Sequence, residues 1–272
     1  MNTASLSFSS SQAPNAESNM HAVIKELSDQ ISRPIELITD GSWDSRESAL
    51  DSGDIQLGWI CGLPYVWKAD IPDPGLELLA APVMAADRYE NRPIYFSDVV
   101  VRRDSPFLNF EDLREAVWAF NEPRSHSGYN ITRFHLAQLG EKKDFFGTIV
   151  EAGSHERALA LILKGEIDAS AIDSTVLETE LRNKPELAQQ IRVIEVLGPS
   201  PIPPLVVHKS VAEEARDSLR EGLINLHSTK SGQVALSKGA YSRFMTVQNS
   251  DYDPIRMMEA QAKMVENWHQ SP

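Results

Sequence analysis

Short apolar runs alternate along the chain with stretches in which apolar residues recur every three or four positions, which predicts strands interleaved with helices. Leu6 to Ser10 reads as a first strand. Beyond a polar turn, Met20, Val23, Ile24, Leu27 and Ile31 fall on one helical face, with Asn15 as the expected cap. Further strands are expected at Ile35–Thr39, Ile55–Ile60, Leu76–Ala80 and Ile94–Val101, with a short helix over Arg46–Ser52. The second half repeats the pattern with strand 117–120, helix 127–139, strand 147–151, helix 155–164, strand 168–172, helix 174–183 and strand 191–196. Gly140 and Gly165 stand where helices should stop. Ser210 and Glu213 have capping-box spacing ahead of a helix that buries Val211, Ala215, Leu219 and Leu223, and a last helix is expected over Pro254–Trp268.

This alternation predicts an α/β fold whose sheets are mainly parallel and flanked by helices. Two stretches, near 95–104 and 198–205, read as connections between lobes. In the second, GPSPIPP at 198–204 carries four prolines, which stiffen an extended crossing rather than continue a sheet. Two crossings predict one lobe from 1–97 plus 204–272 and an inserted lobe from 98–203, with a ligand site in the cleft between them.

Composition narrows the function. Of 272 residues, 42% are apolar and 24% charged, the mean hydropathy is −0.30, and no run of roughly 18 apolar residues occurs, so no membrane span is expected. The formal charge of −13 argues against a nucleic-acid partner, which needs clustered Lys and Arg. It does not exclude a small anionic ligand, because long-range fields are screened within about 8 Å whereas helix amides act at contact distance. Cys61 is the single cysteine, which leaves no intrachain disulfide and no cysteine-based metal site. The seven histidines lack HExxH or comparable spacing, so neither a metal nor another cofactor is expected. The first twenty residues hold no Lys, no Arg and no continuous apolar stretch, so no secretory leader is expected within them; Met1 is then either a cytosolic start or follows removal of a leader.

The most informative stretch is VWAFNEPRSHSGY at 117–129, where a strand ends in a polar turn that opens a helix. The first amides of a helix lack internal partners and carry partial positive charge, so anions settle there. Ser125, His126 and Ser127 add side-chain donors, and Gly128 is expected to let a ligand approach the backbone closely. A second such start, Gly153-Ser154-His155-Glu156, follows the next strand. Asp173 comes directly after the strand at 168–172, on the same carboxyl-end rim where ligands gather in open α/β sheets. Trp43, Tyr65 and Tyr95, all near expected strand ends, supply an aromatic face, and the Tyr65 and Tyr95 hydroxyls could reach an oxyanion. Trp59 lies mid-strand and is assigned to the core.

The carriers of a family resemblance are Tyr95-Phe96-Ser97 before VVVRRDSPF, Phe110-Glu111-Asp112-Leu113, the SxSG turn Ser125 to Gly128, AGSHE at 152–156 and GEIDAS at 165–170. On these the chain resembles the phosphonate- and phosphate-binding proteins of ABC importers, a branch of the type II periplasmic binding proteins. The resemblance implies a two-lobed fold and a non-enzymatic solute-binding protein in the periplasm or another extracytoplasmic space, with an ABC transporter membrane subunit as partner. A cytosolic place follows instead if Met1 is the true start. It also implies that Ser125, His126, Ser127 and His155 hold a phosphonate or phosphate head, with Tyr95 from the other lobe and Trp43 at an aromatic position. Members that bind aminoalkyl phosphonates place carboxylates near the positions of Thr175 and Pro204, which cannot neutralise an ammonium; Asp173 is the nearby substitute.

Two rivals remain. One is a hydrolytic triad of Ser127, His155 and Asp173, opposed by the lack of a GxSxG elbow and of a separate oxyanion-hole motif. The other keeps the fold in a cytosolic sensor that closes on a metabolite.

Overall fold

A computed structural model describes residues 5–141 and 144–265. The chain runs β1 (Leu6–Ser10), α1 (Pro14–Gln30), β2 (Ile35–Leu37), α2 (Trp43–Ser52), β3 (Leu57–Trp59), α3 (Gly62–Ala69) and β4 (Leu76–Met84). It continues through β5 (Ile94–Arg102), β6 (Val117–Phe120), α4 (Ile131–Gln138), β7 (Thr148–Glu151), α5 (His155–Lys164), β8 (Ala169–Asp173), α6 (Ser174–Asn183) and β9 (Ile191–Pro201). The last part is β10 (Leu205–His208), α7 (Glu213–Asn225), α8 (Lys230–Lys238), β11 (Tyr241–Met245) and α9 (Asp253–Ala262).

Two compact units result: Met1–Ile94 with Pro201–Tyr252, and Tyr95–Ser200 with Asp253–Pro272. The chain therefore passes between units three times, not twice, and its C-terminal stretch joins the second unit instead of the first. Packing explains the difference. Met258 and Val265 are buried in the same apolar cluster as Trp118, Phe120 and Leu136, and Arg133 Nη2 donates to the Val265 carbonyl at 3.0 Å.

In the first unit the strand order is β11-β4-β10-β3-β1-β2. β1 runs parallel to β2 and β3, but β10 is antiparallel to β3 and β4, and β11 is antiparallel to β4. The second sheet has the order β7-β6-β8-β5-β9, with β6 parallel to β7 and β8 and β5 antiparallel to β8. Both sheets are thus mixed, where mainly parallel ones were expected: β5 and β10, which enter from the other unit, run against their neighbours, and β11 runs against β4 within the first unit.

Local expectations fared according to how local they were. α1 buries Met20, Val23, Ile24 and Leu27, but it begins at Pro14 with Ala13 as its non-bonding cap, so Asn15 lies inside the first turn. β9 continues through Pro199 and Pro201, contrary to the reading of that stretch as a stiff crossing. Proline is tolerated there because β9 is an edge strand. The capping box does not form: Ala212 precedes α7, and Ser210 Oγ lies 2.8 Å from His208 Nδ1. The expected end of the last helix at Trp268 lies outside the described residues. Trp59 is buried with its Nε1 donating to Pro203 at 3.0 Å, in keeping with a core role.

Candidate anion site of the second unit

β7, β6 and β8 are neighbours and parallel, so their carboxyl ends lie on one edge of the sheet. β5 runs the other way, and its register sets Ser97 opposite Asp173, which brings the start of β5 to the same edge. Asn121 follows β6, Ala152 to Ser154 follow β7, and Asp173 ends β8. Helical structure starts after each of these three strands.

After β6, Ser125 caps a π-helical turn, His126–Asn130, that continues into α4; Ser125 Oγ accepts from Gly128 N at 3.1 Å. After β7, Ser154 caps α5 by accepting from Arg157 N at 3.1 Å, which makes His155 the first helical residue. The two starts meet. Ser127 Oγ lies 2.8 Å from His155 Nε2, Ser125 Oγ lies 3.3 Å from Ser127 Oγ, and Asn121 Nδ2 lies 3.5 Å from the same His155 nitrogen. Ser125, Ser127, His155 and Asn121 are all buried. His155 Nδ1 and Asn121 Oδ1 have no hydrogen-bond partner among the described residues. Buried polar groups left unmet in a native fold call for a ligand or water.

Gly128 has a different reason from the one expected. A Cβ on it would stand 2.1 Å from Asn121 Oδ1 and 3.2 Å from His155 Cε1, so the space beside it is filled by the protein itself.

The remaining expected site residues separate into those near this cluster and those elsewhere. His126 is fully buried, with Asn130 Nδ2 donating to its Nδ1 at 3.1 Å and its Nε2 2.9 Å from Ser200 Oγ. With both nitrogens engaged internally, its side chain ties the helix start to β9 and is not free to hold a ligand head. Tyr95 belongs to this same unit, not to the other, and its buried ring stands edge-on to His126 with centroids 6.4 Å apart. Asp173 caps α6, its Oδ1 accepting from Thr175 N at 2.8 Å and Thr175 Oγ1 at 2.7 Å. Trp43 opens α2 and Tyr65 lies within α3, both in the first unit. The Tyr65 hydroxyl is 3.1 Å from Asn249 Oδ1 and its ring 4.7 Å from that of Tyr252. Asn121, Asn130 and Ser200 were not singled out from sequence. Asn121 carried a signal, a polar residue directly after a buried strand.

The triad is half present. Ser127 and His155 touch, but the Asp173 carboxylate bonds Thr175 and His155 Nδ1 has no acceptor to orient it. Among the described residues no group of three or more His, Cys, Asp or Glu could hold a metal ion.

Burial fixes the charge states. It pushes His126 down to about 3 and His155 down to about 4, so both rings are neutral at pH 7. It raises Asp173 to about 6 against the lowering hydrogen bonds from Thr175 and Val176, with Asp98 adding to the rise. The two histidines act together on stability and Asp173 opposes them. The histidines contribute stability above their unfolded value of 6.5 that is lost as pH falls toward 4 and 3; Asp173 contributes below 3.8 and loses it as pH rises through 6. Near pH 5 the unfolded chain binds more protons than the folded one at the two histidines and fewer at Asp173, so the histidines outweigh the carboxyl and acidification lowers stability on balance. Urea denaturation between pH 4.5 and 6 should show a shallower loss in His126→Asn and a steeper one in Asp173→Asn. Equal slopes in all three proteins would contradict this assignment.

A family model described as ABC transporter, phosphonate, periplasmic substrate-binding protein matches residues 6–252. The chain belongs to that family. The phosphonates-binding periplasmic protein of Escherichia coli is 25% identical over 183 residues, 65% of this chain and 53% of its own length. A probable ABC transporter phosphite-binding protein of Prochlorococcus marinus is 25% identical over 171 residues, 62% of this chain and 57% of its own length. The match thus spans little more than half the length of these relatives. A crystal structure from Prochlorococcus marinus in complex with methylphosphonate superposes with a TM-score of 0.82 at 20% identity, over 96% of this chain and 99% of that one, and has the same type II periplasmic-binding-protein fold. No helix of the described residues is long and apolar enough to cross a membrane.

Proposed function

We propose that this protein is the solute-binding component of an ABC importer in the periplasm. It captures a small oxyanion, a phosphonate, phosphate or phosphate ester, at the rim formed by the ends of β6, β7 and β8. What carries the reading is the cluster of Ser125, Ser127 and His155, drawn from two helix starts onto one strand edge and holding an unmet buried imidazole nitrogen. Such a cradle binds by neutral donors and oriented amides, which suits an anion that must be released again. The related proteins named for phosphonate and phosphite, and the methylphosphonate complex with the same fold, support that choice of ligand class.

Titration calorimetry of methylphosphonate, inorganic phosphate and sulfate into the purified protein tests the proposal. Ser127→Ala removes a hydroxyl donor to the anion, so the affinity of whichever oxyanion binds should fall about tenfold or more. Unchanged affinity would remove Ser127 from the site, and no heat with any oxyanion would sink the proposal. The Ser127–His155 contact also favours, as a second reading, a hydrolase. Turnover of a chromogenic phosphate or carboxylate ester that is lost in Ser127→Ala would establish it.

A further inference from the structure

His155 presents its two ring nitrogens to different surroundings. Nε2 faces Ser127 Oγ at 2.8 Å and Asn121 Nδ2 at 3.5 Å, whereas Nδ1 is buried without a partner among the described residues. The direction of the Asn121 amide decides what this means. Its oxygen sits 2.1 Å from the position a Cβ on Gly128 would take, which is the direction of a Gly128 C–H bond. A carbonyl oxygen there accepts a weak C–H···O contact, while an NH2 group would set hydrogen against hydrogen. The amide therefore turns its oxygen to Gly128 and its N–H to His155. An N–H facing Nε2 at 3.5 Å favours a lone pair on that nitrogen, and in a neutral ring the proton then resides on Nδ1.

We infer that Asn121 is a positioning residue that holds His155 in the Nδ1–H tautomer, so that Nδ1–H is the donor the ring offers to the oxyanion and Nε2 is not. This rests on the oxyanion reading of the cluster. His126 supplies an internal contrast on the neighbouring turn. There Asn130 Nδ2 faces Nδ1 and Ser200 Oγ meets Nε2, so that ring carries its proton on Nε2 and both of its nitrogens are satisfied. Two Asn–His pairs in one unit thus select opposite tautomers, and only the His155 pair leaves a donor without a partner. Ser127 fits the same arrangement, since its hydroxyl can give its proton to the Nε2 lone pair when the site is unliganded and rotate toward an anion when one arrives. Because burial disfavours a charged ring, the donor is available across neutral pH without an imidazolium.

The test reads the tautomer directly. Nitrogen-15 imidazole NMR of the ligand-free protein at pH 7, assigned with His155→Gln, should show His155 protonated on Nδ1 and His126 on Nε2. In Asn121→Leu the His155 pattern should move toward Nε2–H, which can then donate to Ser127, and methylphosphonate or inorganic phosphate should bind about tenfold more weakly. The two amide replacements of the ring separate its nitrogens. His155→Asn keeps an N–H near the place of Nδ1 and His155→Gln one near the place of Nε2, so the asparagine variant should bind the probe about tenfold more tightly than the glutamine variant. An Nε2–H pattern in the wild-type protein, an unchanged tautomer in Asn121→Leu, or tighter binding by His155→Gln would each overturn the inference. Failure of the wild-type protein to bind either probe would instead sink the oxyanion reading beneath it, while the NMR pattern would still judge the hold of Asn121 on the ring.

Discussion

Trp118→Ala should lower the stability of the second unit by about 3–5 kcal/mol, the largest single effect expected among substitutions outside the anion cluster. Trp118 has no solvent exposure, stacks on Phe146 with centroids 4.6 Å apart at 16°, and meets Phe110 edge-on at 6.0 Å. Phe110 in turn stacks on Phe145 at 5.5 Å, so truncation would open a cavity within an aromatic cluster whose members cannot all collapse into it. The indole nitrogen has no partner among the described residues, so Trp118→Phe gives up an unmet donor together with some area and should cost less than about 1.5 kcal/mol. Urea denaturation of both variants checks the contrast. Because β6 also delivers Asn121 to the site, oxyanion affinity should fall with stability in the alanine variant and hold in the phenylalanine one. Equal midpoints for the two would contradict the role assigned to this cluster.

Gly128→Ala is the second. A helical glycine replaced by alanine ordinarily gains about 1 kcal/mol. Here the new methyl would lie 2.1 Å from Asn121 Oδ1, 3.0 Å from its Cγ and 3.2 Å from His155 Cε1, and all of these groups are buried. Overpacking of this kind costs about 1–3 kcal/mol after relaxation, so the sign should reverse. Relief by displacing Asn121 or His155 would pull apart the contacts that set the donor, so affinity for methylphosphonate or phosphate should drop by about tenfold or more. Adding Asn121→Ala removes the obstacle, and the double variant should regain stability without regaining affinity. A single variant as stable and as tight-binding as the wild type would show that the space beside Gly128 is not confined.

These two residues mark how far the sequence could be read. The aromatic run around Trp118 was legible as a buried strand because an apolar segment that short has few other places to go. The helix starts at Ser125 and Ser154 were legible because capping is written in neighbouring residues. That Ser127 and His155 serve one site is an expectation from two helix starts after successive strands, and their separation of 2.8 Å follows from β7 lying parallel and next to β6. Gly128 was assigned to a ligand's approach, and only the packing reveals that Asn121 occupies the space. The family resemblance implies His126 in the cradle and Tyr95 across from it. Ser200, far along the chain, engages His126, and the boundary between the units falls between Ile94 and Tyr95, which puts Tyr95 in the second unit.

By itself the sequence determined what depends on adjacent residues: strand and helix alternation, glycine stops at 140 and 165, serine caps, and the strand ends that carry them. Tertiary structure alone decided that β10 enters the first sheet between β3 and β4 and that α9 packs on α4 in the second unit. It alone decided, too, which histidine keeps a nitrogen unmet. The reason is physical. Local hydrogen bonding and φ/ψ preference act over a few residues, whereas pairing between distant segments is chosen by which arrangement buries the most apolar surface and satisfies the most polar groups at once.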